Sequence, residues 1–315
     1  MIDRASIPVV ARIVLLILWA VAAASCSPVT NSRPGMQIKV NKYFDEEGHE
    51  YPDLDDSIFS MKMCVTGVLT PQKFSKEIGF WIFTTEPHKP GRIPVVFLHG
   101  HWTGPSVFKE LAASLDKERF EPWFTYFPTG LDIRELAAMF RLALARVAAY
   151  HGRDEVAVVA FSMGGLVAKE ALSSEDDGAN LPEIPLLIGI ANPWGGSIKT
   201  TTGAKSAITA SPDREFSYGT ESWKQFWEGA EYIEHLFDKP FPEDLEFHMI
   251  YGVGGDDEDL PGRNDGTLRE ASLAREEAVA QALSVTVLEE ADHKNIIFAP
   301  ETILRVNEIL EGLSP

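Results

Sequence analysis

One serine in this chain stands where a nucleophile would be made. Val156 to Ala160 form an apolar run, Phe161 and Ser162 follow, and Met163-Gly164-Gly165 opens a helical pattern with no intervening loop. A serine between a buried strand and a helix sits on a sharp, strained turn that lifts its hydroxyl above the sheet, and small residues two before and two after let the segments approach. Ala160 and Gly164 fill those places; alanine stands where the pattern usually has glycine and adds only a methyl group. A serine alone is a poor nucleophile. It needs a base within hydrogen-bond reach, itself oriented by a carboxylate.

Three histidines follow the serine. His235 lies in a segment with helical spacing and reads as decoration of a helix face. His248 sits inside the apolar run Phe247 to Tyr251 and reads as a strand-face residue. His293 differs from both, because it follows the strand-like Val285 to Leu288 in a polar loop just before the last helix. Carboxylates cluster after the strand-like Met249 to Val253, at Asp256, Asp257, Asp259 and Asp265. Their bland reading is a solvated acidic loop. Several oxygens in a short loop also suit calcium, but EF-hand spacing is absent and no metal or other cofactor is expected.

Acyl transfer further needs two hydrogen-bond donors aimed at the oxygen that becomes negative, and backbone N–H groups serve because they need no reorganisation. The N–H of Met163, at a helix N-terminus just after the serine, is one candidate. A second apolar run, Ile93 to Leu98, opens into His99-Gly100-His101-Trp102-Thr103-Gly104, and by position the backbone of His101 supplies the other.

The strand and HG-x loop, the serine elbow and the downstream acidic and histidine motifs together resemble the α/β-hydrolase superfamily, in particular its lipase and esterase branches, over roughly residues 75 to 312. The resemblance implies the order Ser, Asp, His, with His293 as base. Asn264-Asp265-Gly266-Thr267 resembles the D-G-x-V-P loop of lipases, with Leu268 and Arg269 where that loop has Val and Pro; this favours Asp265 as the acid over Asp256, Asp257 and Asp259. The stretch Leu186 to Ser197, ending in Pro193-Trp194-Gly195-Gly196, resembles a strand of lecithin–cholesterol acyltransferase-like and inositol-deacylase-like lipases. Some hydrolases carry the acid at this strand end. Here Asn192 stands there, which cannot orient a base as a charge would. Residues at about 198–245 correspond to an insertion that commonly forms a helical lid, its aromatic residues packing on the core and lining a pocket.

The expected activity is cleavage of a small-molecule or lipid carboxylic ester through an acyl-enzyme. Acyl transfer to another alcohol, or amide or thioester cleavage, would use the same groups. A surface lipoprotein with this fold and no activity is the rival from outside enzymology.

At the N-terminus, Arg4 and Arg12 precede the apolar run Ile13 to Val21, which is short for a membrane span and is followed by small residues. That pattern predicts a signal peptide over 1–25. Ala23-Ala24-Ser25-Cys26 resembles a bacterial lipobox, with Ala23 in place of the usual leucine, so Cys26 is expected to become the acylated first residue; ordinary cleavage near Ala24 is the alternative. The resemblance implies export and a lipid anchor in the outer membrane or at the cell surface. Otherwise the enzyme is periplasmic or secreted. Only Cys26 and Cys64 are present, so no disulfide framework exists, although the two could pair if Cys26 is not acylated.

Composition agrees with one large globular core. The chain has 315 residues, 45% hydrophobic and 24% charged, with a formal net charge of −19. Such a charge argues against nucleic acid as a partner and against direct attraction to anionic membranes.

The elements that must hold these groups follow from patterning. Residues 26–58 read as a polar linker or arm, and 59–315 as the catalytic domain. Strands are predicted at Met61–Val68, Ile78–Phe83, Ile93–Leu98, Phe120–Phe127, Val156–Phe161, Leu186–Ile190, Met249–Val253 and Val285–Leu288. Helices are predicted at Ser106–Leu115, from Asp132 with its capping partner Glu135, and at Gly164–Leu172, Arg269–Leu283 and Glu301–Leu313. Strands alternating with helices imply a mostly parallel sheet covered on both faces.

Overall fold

The computed structural model describes residues 51–174, 179–198 and 220–313. Its strands are β1 (Trp81–Phe83), β2 (Ile93–Leu98), β3 (Phe120–Tyr126), β4 (Glu155–Phe161), β5 (Glu183–Ile190), β6 (Glu246–Gly252) and β7 (Ser284–Leu288). The helices before β4 are α1 (Met61–Leu69), α2 (Pro71–Glu77), α3 (Lys109–Ala113) and α4 (Ile133–Tyr150). Those after it are α5 (Met163–Ser173), α6 (Glu221–Gln225), α7 (Glu231–Glu234), α8 (Glu270–Leu273), α9 (Glu276–Val279) and α10 (Pro300–Glu311).

The strands form one sheet in the order β1-β3-β2-β4-β5-β6-β7. β1 runs antiparallel to β3, and every other pairing is parallel. The central strands are nearly continuous apolar runs because both faces are covered. Alternation then sorts their residues. Val96, Leu98, Val158 and Leu187 join Leu136, Phe140 and Leu144 of α4 and Leu166 of α5 in one layer. Val95, Phe97, Val159 and Ile188 join Phe108, Leu111 of α3 and Val306 and Leu310 of α10 in the other. This sandwich of helices around a parallel sheet is the expected architecture, and it places β4 and the start of α5 at its centre.

Local chemistry fixes the starts of two of the longer helices. Asp132 caps α4, its Oδ1 accepting the N–H groups of Arg134 at 2.8 Å and Glu135 at 3.3 Å, and Pro300 opens α10.

Three expectations need correction. Met61–Val68 is not a strand but lies within helix α1, and Pro71 starts α2 directly after it. Cys64 is buried there, its Sγ 3.8 Å from the Phe59 carbonyl, and burial pushes the thiol up to about 11. The strand expected from Ile78 begins only at Trp81, after Gly79 turns the chain with φ 89°. The single helix expected over 269–283 is two short ones. Arg275 between them is extended, and its guanidinium reaches the carbonyls of Trp194 and Ile233.

Residues 1–50, with the expected signal, Cys26 and most of the arm, lie outside the described residues. Residues 54–59 pack on the domain: Leu54 and Phe59 are buried, Ser106 Oγ donates to the Leu54 carbonyl at 2.6 Å and Tyr126 Oη to that of Ile58 at 2.8 Å. Of the segment at about 198–245, residues 199–219 lie outside the described residues, and 220–245 hold α6 and α7.

Candidate active site

Ser162 follows β4 directly, with φ 51° and ψ −126°, and α5 begins at the next residue. Such a conformation costs about 1–3 kcal/mol in a residue with a side chain. The surroundings hold it in place. Its N–H donates to the Ile190 carbonyl at 2.9 Å, and glycine is required at position 164, where a Cβ would stand 2.4 Å from the Leu98 carbonyl oxygen.

Asn192 supports the same turn from below. It is buried, and its Nδ2 donates to the carbonyls of Ala160 at 3.0 Å and Ser162 at 2.8 Å. Because both partners are carbonyls, the amide can face only this way. In the sequence Asn192 stands out only as a missing acid, and this strut is not visible there. The signal that could have found it is the second glycine of the elbow, Gly165, whose Cβ would stand 2.2 Å from Asn192 Nδ2.

Facing the serine is His293, in the loop between β7 and α10. Its Nε2 lies 3.0 Å from Ser162 Oγ and its Nδ1 2.7 Å from Asp265 Oδ2. A carboxylate accepts, so Nδ1 carries the proton and Nε2 presents its lone pair to the serine hydroxyl. Asp265 is buried after β6, and its Oδ1 accepts the N–H groups of Thr267 at 2.9 Å and Leu268 at 2.6 Å. The backbones are joined too: the His293 N–H donates to the Asp265 carbonyl at 2.7 Å. Asp256 and Asp259 are exposed and Asp257 is partly so. Among the described residues no group of three or more His, Cys, Asp or Glu side chains is arranged to hold a metal ion.

The loop after β2 lies against the serine. His99 is buried and stacked on Phe127 at 4.2 Å; its Nε2 accepts the Phe127 N–H at 3.3 Å, so Nδ1 donates to the Gly100 carbonyl at 3.0 Å. Burial pushes His99 down to about 4 and His101 down to about 3, so both rings are neutral. Trp102 has φ 62°. His101 and Met163 thus sit on the two segments that flank Ser162.

Above Ser162 and His293 opens a cavity of about 490 Å³. Its walls are mostly apolar: Trp102 and Val107 after β2, Trp223 and Phe226 of the 220–245 segment, Leu268, Ile297 and Phe298. Exposed Met61 and Phe298 also line it. An apolar cleft with a few convergent polar groups is the usual form of a small-molecule site.

The sequence model of the alpha/beta hydrolase family matches residues 95–306. The chain belongs to this family. Solved structures agree at the level of fold. The mature lipase BlEst2 of Bacillus licheniformis is 19% identical, with TM-score 0.52 over 73% of this chain and 97% of that one. Lipase B of Aspergillus fumigatus is 16% identical, with TM-score 0.54 over 74% of this chain and 57% of that one. The metagenomic carboxyl esterase MGS0156 is 15% identical, with TM-score 0.51 over 71% and 77%. No curated protein sequence matches the chain.

Within this family fold, the chain brings Ser162, His293 and Asp265 into one hydrogen-bonded row from the ends of β4, β7 and β6. The other two histidines that follow Ser162 in sequence stand apart. His248 is buried on β6 with Nδ1 2.7 Å from Ser284 Oγ, and His235 is exposed, 2.7 Å from Asp238.

Proposed function

We propose that this alpha/beta hydrolase is a serine esterase that cleaves carboxylic esters through an acyl-enzyme. Ser162 Oγ attacks the ester carbonyl while His293 Nε2 takes its proton. Asp265 keeps the imidazole in the tautomer this requires and stabilises the imidazolium that forms. The N–H groups of Met163 and His101 receive the oxyanion. His293 then returns the proton to the departing alcohol, and water repeats the sequence to release the acid. The observation that carries this reading is the unbroken row Asp265 Oδ2, His293 Nδ1 and Nε2, Ser162 Oγ, at 2.7 and 3.0 Å, below an apolar cavity. The names of the lipases and esterase that share the fold lend it support. A fluorophosphonate should label Ser162, and p-nitrophenyl esters of graded chain length should be turned over. Ser162→Ala should lose both signals with its circular-dichroism melt unchanged, and a variant that keeps turnover would defeat the reading.

We also propose that the mature protein begins at an acylated Cys26 and is held by lipid at the outer membrane or cell surface. The support is the basic start, the apolar run Ile13 to Val21 and the lipobox-like Ala23-Ala24-Ser25-Cys26. Ser27 after the cysteine offers no aspartate to suggest inner-membrane retention. Mass spectrometry should find lipid on Cys26, and Cys26→Ser should leave the membrane fraction or stay unprocessed. A mature N-terminus beyond Cys26 would instead mean ordinary secretion.

A further inference from the structure

The two peptide groups assigned to the oxyanion are held from behind. Neither the His101 N–H nor the Met163 N–H donates to any group among the described residues. Each belongs to a trans peptide, so its direction is set by the carbonyl at the other side of the same plane. For His101 that carbonyl is Gly100's, which accepts three donors: Thr103 Oγ1 at 2.9 Å, His99 Nδ1 at 3.0 Å and the Thr103 N–H at 3.4 Å. For Met163 it is Ser162's, which accepts Asn192 Nδ2 at 2.8 Å and the Gly165 N–H at 3.0 Å.

The Gly100 carbonyl gathers its donors inside a strained turn. Trp102, between His101 and Thr103, has φ 62°, a conformation unfavourable for a residue with a bulky side chain. Strained backbone of this kind persists only where the surroundings fix it, and here they fix a peptide whose glycine has no room for a Cβ beside Ser162. His99 is fixed in turn. Its Nε2 accepts the Phe127 N–H at 3.3 Å, which leaves its proton on Nδ1 for Gly100. Donors on a carbonyl also polarise the amide, so the N–H opposite becomes a better donor to a negative oxygen. We infer that Thr103, His99 and Asn192 are positioning residues for ester cleavage, acting through the Gly100-His101 and Ser162-Met163 peptides to aim and strengthen the two oxyanion N–H groups. The inference rests on the ester-cleaving reading above and adds the side chains that build its oxyanion site.

The test sets a probe that forms an oxyanion against one that does not. Hexyl trifluoromethyl ketone accepts Ser162 Oγ at its carbonyl carbon, the serine proton passes to His293, and the ketone oxygen becomes the anion. Hexyl methyl ketone has the same chain and binds without that addition. Thr103→Val removes the hydroxyl and keeps the shape of the cavity wall to which Thr103 contributes. It should lower kcat for p-nitrophenyl butanoate by about 3- to 10-fold, the effect of one hydrogen bond, with KM within about twofold. Ki of the trifluoromethyl ketone should rise by the factor that kcat/KM falls, while Ki of the methyl ketone stays within about twofold. Thr103→Ser should restore kcat, and Asn192→Leu should shift the two ketones as Thr103→Val does. His99→Asn keeps a donor near the place of Nδ1 and should retain more turnover than His99→Phe. Unchanged kcat and trifluoromethyl ketone Ki in Thr103→Val, or equal shifts in both ketones, would overturn the inference, because a role in folding alone does not distinguish an oxyanion from a carbonyl. If turnover proves independent of Ser162, it is the ester-cleaving reading that has failed.

Discussion

Gly100 and Ser162 are packed so closely that a Cβ added to the glycine would stand 2.7 Å from the serine Cβ. Real Cβ atoms do not come that near, and Phe161 blocks the alternative, with its carbonyl oxygen and ring Cδ1 each 3.3 Å from the same point. The loop after β2 and the elbow after β4 therefore touch through backbone on one side only.

Gly100→Ala should push these two segments apart. The expected result is a fall in kcat of at least about 100-fold, with a loss of about 1–3 kcal/mol in stability from overpacking. Steady-state kinetics beside urea melts would check it. Unchanged kcat would mean the loop shifts without disturbing the serine.

Asp265→Asn should lower turnover by about 10⁴-fold, as expected when the carboxylate that orients a catalytic imidazole becomes neutral. Fluorophosphonate labelling should slow in parallel. Asp256→Asn and Asp257→Asn should match the wild type, and a large loss in either would move the acid to that residue.

Asn192 makes a sharper test of elbow support. Asn192→Leu removes both donors at similar volume, and kcat should fall by roughly 10- to 100-fold, about 1–3 kcal/mol for two unpaired carbonyls, with KM within about twofold. Asn192→Asp can donate only while protonated, a form favoured by burial against two carbonyls. Its kcat relative to the wild type at the same pH should therefore decline as pH rises. Equal loss at every pH would sink this role.

Stability should also fall in acid. His99, His101 and His151 are pushed below the usual 6.5, to about 4, 3 and 4, chiefly by burial. The unfolded chain takes up these protons as pH drops below 6.5, while the folded chain takes them up only near pH 4 and below. Between those limits the unfolded state binds more protons, so stability is full above pH 6.5 and is lost towards pH 4. Each ring steepens the slope by at most about 1.4 kcal/mol per pH unit. Urea midpoints from pH 7 to 4 would measure this, and His151→Phe, outside the site, should flatten the curve.

The parts legible in the sequence are those fixed by burial on both faces. β2, β4, β5 and β6 read as apolar runs because helices cover both sides of the sheet, and the serine follows β4 without a loop. His293 was separable from His235 and His248 because a polar loop between strand and helix differs from a helix face or a strand interior. The misread parts depend on contacts remote in sequence. Met61–Val68, with Cys64, Val65 and Val68, has strand-like composition, yet α1 is held by the burial of Cys64 and Val68 and is followed by Pro71. The break at Arg275 is set by the Trp194 and Ile233 carbonyls, far outside any local window. Asn192 is invisible as a strut until β5 and the elbow are side by side.

The backbone bond between the His293 N–H and the Asp265 carbonyl has a mechanical meaning. Asp265 and His293 are joined twice, once through their side chains and once through their main chains, whereas His293 and Ser162 share a single side-chain hydrogen bond. A displacement of the β4–α5 elbow would part Ser162 from His293 and leave His293 Nδ1 on Asp265 Oδ2. On the proposed reading, His293 would then need no tautomer change before it receives the Ser162 proton.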